Sequence, residues 1–339
     1  LLRRDCARVT EQSAPAPIPL PRPTSKRSLR NVKFVRQLQA PGIAIWQRAI
    51  TTGDAIFLAG WQQDHIVVAR VDWQGEHTPD LRRWNVPTAE GAPLIMEGNR
   101  GDDHRVLVHC VSRMTLTPRR FSAMDGSERE SFAGAIDGVT DGLLAAAFSP
   151  HGVTWLLEDS IDGPTLRALD RHGNLWTTTS LAEREFDPWQ VRMHARSDSV
   201  FIAASNFLQL CNANGKWDSP VDLESPIFSL AGAAQHARFR IAVGLRQGAA
   251  IWWDSITRDS LTILSSDLEQ TVVEFNLAGH LIVAGPMSAE IFATGEGRAE
   301  LIGKCSGWRA RPIAVLRSAA AHEFAIVTAD GKILIYRVD

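Results

Sequence analysis

The sequence is short of several things at once. It holds a single tyrosine, four cysteines in 339 residues and almost no net charge, with 36 Lys and Arg against 38 Asp and Glu. The cysteines, Cys6, Cys110, Cys211 and Cys305, stand far apart with no paired spacing, which excludes a zinc knuckle and a disulfide framework and makes a reducing compartment such as the cytoplasm the expectation. No apolar run approaches the ~18 residues of a membrane-spanning helix, Leu143 to Phe148 being the longest obvious one. The near-zero charge argues against a general polyanion binder. Catalytic signatures are missing as well: there is no G-x-S-x-G elbow, no P-loop, no G-x-G-x-x-G, no H-E-x-x-H and no H-x-H. His104 and His109, the nearest histidine pair, are five residues apart and fall on opposite faces of a strand, so no metal or cofactor is expected.

Charge is unevenly placed. Residues 1 to 38 hold nine bases and two acids, and the remainder carries a net negative charge. Five prolines between Ala14 and Pro23 prevent both helix and ladder pairing, so residues 1–30 read as a basic extended linker or tether. A ligand for a proline-binding module is the sharper alternative, and nucleic acid or an acidic membrane surface is a further one for so basic an arm. The chain opens on Leu1 with two arginines before Cys6 and no small-residue cleavage pattern, which reads as a fragment or processed form without a visible signal peptide.

From Val32 onward the texture is that of short strands. Ile227 to Leu264 shows it best: four apolar or β-branched runs separated by polar or glycine-containing breaks, the pattern of an up-and-down four-stranded antiparallel sheet. Such a unit needs like neighbours, and it recurs. Taking its second strand as a marker aligns Ile56, Val106, Thr154, Phe201, Ile241, Leu281 and Ala325, at steps of 50, 48, 47, 40, 40 and 44 residues. That spacing suits propeller blades and is too short for βαβ units with full helices. Turn residues follow the third strand in six blocks, among them Asp72 to Gly75, Asp170 to Gly173 and Asn212 to Gly215.

The expectation is therefore an all-β, seven-bladed propeller of four-stranded antiparallel blades over 31–339. The last block has only three strands before the chain ends, so the strand at 32–38 is expected to complete it, burying Val32, Phe34 and Leu38.

Several blocks resemble WD40-type repeats. Ala147-Phe148-Ser149-Pro150-His151-Gly152 is similar to that family's turn between first and second strands, Ala250-Ile251-Trp252-Trp253-Asp254 to its third strand with the Trp-Asp ending, and Gly331 to Tyr336 to the same strand in a last blade. Only one Trp-Asp pair falls in the expected place, and Gly279-His280 precedes a second strand where the family puts that pair before the first. The resemblance implies a divergent, bacterial propeller, similar in its degeneracy to those accompanying MoxR-type ATPases and von Willebrand A proteins, and with it an upstream domain or AAA-type ATPase neighbour. It also implies a non-catalytic scaffold or sensor whose docking face carries the loops between second and third strands and between blades.

Those loops offer Trp61, Asp64, Arg113, Asp141, Asp159, Asp162, Trp189, Asn206, Arg246 and Trp308 as partner-binding residues, with Glu90, Asp137, Glu185, Glu269 and Asp330 beside them. The set is rich in acids, which favours a protein partner with a basic surface. Trp61, Trp189 and Trp308 are the expected anchors, whereas Trp155, Trp252 and Trp253 lie in strands and are expected to fill the space between blades. The alternative is a propeller enzyme, of hydrolase or quinone-dependent type, with its site at the central channel. Ala168 to Trp176 has a shortened likeness to the tryptophan-docking repeat of quinone enzymes, but a structural turn is the preferred reading. An enzyme should converge His, Glu or Asp on the ring axis, and a scaffold should show small or apolar residues there.

Overall fold

A computed structural model describes residues 31–339 apart from short internal stretches, the longest being 111–118, 130–141 and 182–189. The chain forms an all-β propeller of four-stranded antiparallel blades, and seven such sheets are present. Six are built from four consecutive strands. The first blade, for example, takes Ile45–Thr52, Ala55–Gln62, His65–Asp72 and Asp80–Asn85 in that order. The seven markers all fall in second strands, from Ile56 in Ala55–Gln62 to Ala325 in Glu323–Thr328. The blade turns are local chemistry: the Asp170 carboxylate accepts from the His172 and Asn174 amides at 2.8 and 2.9 Å, and the Asn212 side-chain oxygen accepts from Asn214 and Lys216 at 3.0 and 3.1 Å. These bonds hold the Asp170 carboxyl below its usual range, the Asn174 side chain contributing most. Ala168 and Leu169 thus end a strand, and the Asp170 side chain caps the amides of His172 and Asn174 beyond it.

The last blade is made from both ends of the chain. Val32–Gln39 pairs antiparallel with Lys332–Val338, giving a sheet with Glu323–Thr328 and Pro312–Arg317. Its register runs from Val32 opposite Val338 to Gln39 opposite Lys332. One expectation for this strand fails. A bulge between Phe34 and Arg36 inserts an extra residue, so the alternation slips and Phe34 turns outward, 55% exposed, its ring centroid 5.8 Å from that of Tyr336 in an edge-on arrangement. Val35 packs inward in its place, with Leu38, against the first-blade core. The next residues cross to the first blade under hydrogen bonds from the Ala40 amide to Gly331 O and from the Trp46 amide to Ala329 O, at 2.9 and 3.1 Å.

The core lies between blades. Phe57 and Val68 of the first blade join Leu94 and Val106 of the second. Trp155 and Leu157 of the third join Val200 and Ile202 of the fourth, with Ile95 of the second blade in the same cluster. Phe201 and Leu208 join Trp252 of the fifth, Ile251 joins Phe275 of the sixth, and Ile291 joins Phe324 of the seventh. Ile333 and Ile335 then join Trp46 and Leu58 of the first, which closes the circle. Trp155 and Trp252 fill such spaces as expected, and the Trp253 side chain lies outside the described residues. Each blade is apolar on both sides because each side is covered by a neighbour.

Candidate functional site: the loop face and the channel mouth

The first strand of each blade contacts the first strands of the blades beside it, so these seven strands form the innermost layer around the axis. Register fixes which loops share an end of the ring. Pro312 at the start of an inner strand pairs with Thr328, and Val327 pairs with Ile333, so the start of the inner strand and the turn between second and third strands emerge on one face. The connections entering the fourth, fifth and sixth blades are bonded to such turns. The Ile227 amide donates to Ser205 O at 2.7 Å, Thr271 to Leu245 O at 3.0 Å and Leu181 to Pro164 O at 2.9 Å. Backbone groups that would otherwise be orphaned are satisfied there, and the face is held as a fixed surface.

Two of the expected anchors belong to this scaffolding. Trp61 and Trp308 are only 4% and 2% exposed, and their indole N–H groups donate to Ala92 O and Gly285 O at 2.8 and 3.1 Å. They rivet loops to the ring and present no surface to a partner, because a buried Trp finds its hydrogen-bond partner inside. Asp64 pairs with His65 at 2.6 Å, and Asp330 with Lys332 at 3.1 Å. For Asp330, partial burial works to raise the carboxyl, but hydrogen bonds from Thr328 and Lys332 outweigh it and hold it below its usual range. Asp162, Arg246 and Glu269 are exposed, and Asp159 is half-buried. Asn206 is exposed and donates to Leu223 O at 3.2 Å. Arg113, Asp141 and Trp189, with Glu90, Asp137 and Glu185, lie outside the described residues. Among the described residues, the large apolar side chains that stand in solvent on this face are Ile45 and Met287, 70% and 61% exposed.

The axis itself holds a cavity of about 660 Å³. Small residues such as Ala145, Ala147, Gly232 and Ala314 line part of it, but arginines set its character. In the inner strand of the fourth blade, Arg192–Arg196, the sequence R-M-H-A-R puts Arg192, His194 and Arg196 on one face and buries Met193 and Ala195 on the other. His194 and Arg196 are engaged by the wall. His194 stands 6.0 Å from the Phe239 ring, a Cβ at Gly232 would lie 2.4 Å from its Nε2, and the Arg196 guanidinium sits 4.9 Å over Phe239.

Arg192 and Arg48 are different. Among the described residues each donates only to the carbonyl of the residue before it, Val191 O at 2.7 Å and Gln47 O at 3.2 Å. Arg311, exposed, immediately precedes Pro312 at the start of its inner strand, and its carbonyl accepts from the Ala329 amide at 2.9 Å. Burial, and then repulsion from Arg48 and Arg311, push the Arg192 guanidinium well below its ordinary value. Arg48 is held down to about 10, chiefly by burial, with Glu97 opposing and Arg311 adding to the drop. Glu97 and Glu274 also line the channel. The axis is thus not the small, apolar one expected of a scaffold: arginines stand there together with Glu97, Glu274 and His194. Guanidinium groups, charged at every physiological pH, attract anions and do not shuttle protons. Sequence reasoning passed over these residues by looking to the loops. The alternation R-M-H-A-R in an inner strand was the signal that could have found Arg192.

No family model matches the chain, and no curated protein matches it. Among solved structures it is similar to a chain in the crystal structure of the mitotic checkpoint complex, at 12% identity with a TM-score of 0.65, over 98% of this chain and 99% of that one. At that identity the likeness is one of fold alone, a β-propeller.

Proposed function

We propose that this protein is a non-catalytic interaction platform, a seven-bladed ring that offers its loop-bearing face to a protein partner. The observation that carries this reading is the contrast on that face: its backbone is pinned into the ring while Ile45 and Met287 stand in solvent. A fixed surface binds without a large ordering cost. The fold of a chain found in a multiprotein complex supports the same class of role. The described acids of the rim are partly engaged locally, Asp64 by His65 and Asp330 by Lys332, so the partner is held by a mixed polar rim around apolar contacts more than by acidity alone. A bacterial, cytoplasmic setting with an AAA-type ATPase neighbour as partner is the specific form of the proposal, resting on the degenerate repeats.

The test is co-purification of candidate neighbours with the full chain, compared between the wild type and an Ile45→Asp/Met287→Asp variant. Leu277→Asp serves as the control. Leu277 is 53% exposed in the turn between first and second strands of the sixth blade, at the opposite end of the ring. Loss of the partner only with the double variant is expected. Loss with Leu277→Asp and retention with the double variant would overturn the assignment of the face.

A further inference from the structure

We propose that the mouth of the channel is a binding site for a compact, multiply charged tetrahedral oxyanion of the phosphate class, held by Arg48, Arg192 and Arg311. The geometry comes from the ring. Arg48 and Arg311 belong to the first and seventh blades, whose inner strands are neighbours, and Arg192 starts the inner strand of the fourth blade, across the axis from both. Arg192 begins its strand, Arg311 immediately precedes its own, and Arg48 lies one bulge into Ile45–Thr52. All three therefore sit toward the loop-bearing end, and Arg48 and Arg192 line a cavity of about 660 Å³, within the ~300–1,000 Å³ usual for small-molecule sites.

The arginines are short of counter-charge. Among the described residues no carboxylate forms an ion pair with Arg48, Arg192 or Arg311, whereas Arg167, Arg337 and Lys304 are paired with Glu158, Glu323 and Glu290. Glu97 acts on Arg48 only through its field. Gathering like charges in an enclosed place is costly, and an arrangement that persists in the folded state is explained when a ligand supplies the missing negative charge. After burial, Arg311 lowers Arg48, and Arg48 and Arg311 together lower Arg192, which is the electrostatic sign of that crowding.

The shape of the site selects the ligand. A carboxylate is planar and its two oxygens accept best within that plane, as in a fork with a single arginine, whereas a tetrahedral oxyanion presents oxygens in three dimensions and suits guanidiniums on opposite walls. The channel is too enclosed for a duplex or a folded domain, so the ligand is a free ion or the phosphoryl end of a small organic molecule. The site stands independently of the partner reading above, because it uses the axis and not the rim.

Calorimetric titration of the full chain with inorganic pyrophosphate at low ionic strength tests this, with sn-glycerol 3-phosphate and citrate as parallel arms. One saturating site is expected, about tenfold or more weaker in Arg192→Gln and in Arg48→Gln, and unchanged in Arg298→Gln, an exposed outer-strand position. Thermal melts of the ligand-free variants show that each is folded. Tighter binding of pyrophosphate identifies an inorganic ion, and tighter binding of glycerol phosphate a phosphorylated organic molecule. Absence of saturable heat, unchanged affinity in folded Arg192→Gln, or citrate binding as tightly as the phosphates would each overturn the proposal.

Discussion

The strand that closes the ring can be tested at single-residue precision, because the bulge reverses what alternation alone would say. Substituting Phe34, Val35 and Leu38 singly by alanine separates two registers. With regular alternation Phe34 would face the core, and its truncation would cost several kcal/mol. In the bulged strand Phe34 is 55% exposed with one edge contact to Tyr336, so Phe34→Ala should cost about 0.5 kcal/mol, in line with a partly exposed aromatic contact. Leu38 is half-buried, packed with Val35 against the first-blade core, and its Cδ2 stands 2.7 Å from where a Cβ on Gly75 would be, so it bridges the seam between last and first blades. Full burial makes a Leu→Ala change cost about 2–5 kcal/mol, and half-burial brings Leu38→Ala to about 1–2 kcal/mol, with Val35→Ala near 1 kcal/mol. Urea unfolding followed by tryptophan fluorescence reads these differences as midpoint shifts at constant slope. A larger loss from Phe34→Ala than from Leu38→Ala would refute the bulged register. Deletion of 31–39 removes the whole ladder with Lys332–Val338, leaves an open edge and should abolish cooperative unfolding.

Other expectations follow from the same packing. Arg48→Gln should stabilise the ligand-free protein. Holding Arg48 down to about 10 costs at most about 3 kcal/mol at ~1.4 kcal/mol per pH unit, and channel water reduces this to about 1–2, visible as a rise in Tm at pH 7. The sign is fixed by linkage. A base depressed in the folded state penalises folding while it is protonated in both states, and the penalty fades as pH rises through about 10, so wild type and Arg48→Gln should converge in stability above that pH. Gly331→Ala should lose about 2–4 kcal/mol, since φ there is +81° and the new Cβ would meet Trp46 Nε1 at 2.6 Å; thermal melting measures it. Cys211 and Cys305, raised to about 12 by burial above all, should resist a thiol reagent at pH 8 until the protein is unfolded.

Repeat length and strand markers were legible in the chain because they are local: a second strand announces itself by five or six apolar residues, and an Asx turn by an Asp or Asn two to four residues before the amides it caps. The closing strand was legible too, from a blade that came up one strand short. What could not be seen is whatever depends on distant partners. The bulge at Phe34 answers to its pairing with Lys332–Val338, some 300 residues away. Trp61 and Trp308 looked like loop anchors, and their identity as rivets rests on carbonyls of Ala92 and Gly285, 31 and 23 residues off along the chain. The convergence of Arg48, Arg192 and Arg311 depends on the ring being closed, which sets the fourth blade opposite the first and seventh.

That dependence links closure to chemistry. If Val32–Gln39 frays, the seventh blade loses its outer strand, and the crossing that places the first blade loses the Ala40 to Gly331 and Trp46 to Ala329 bonds. Arg48 and Arg311 lie on the two sides of that seam, Arg48 two residues along the chain from Trp46 and Arg311 with its carbonyl accepting from the Ala329 amide. An anion bridging them across to Arg192 therefore binds the closed ring and not the opened one, and by mass action it must stabilise closure. At a hundredfold excess over its dissociation constant such a ligand adds about 2.7 kcal/mol to the folded state. Leu38→Ala, which loosens the seam without touching the channel, should then recover its lost Tm when pyrophosphate is present, and the Leu38→Ala/Arg192→Gln double variant should not. Equal recovery in both would separate the anion from the seam.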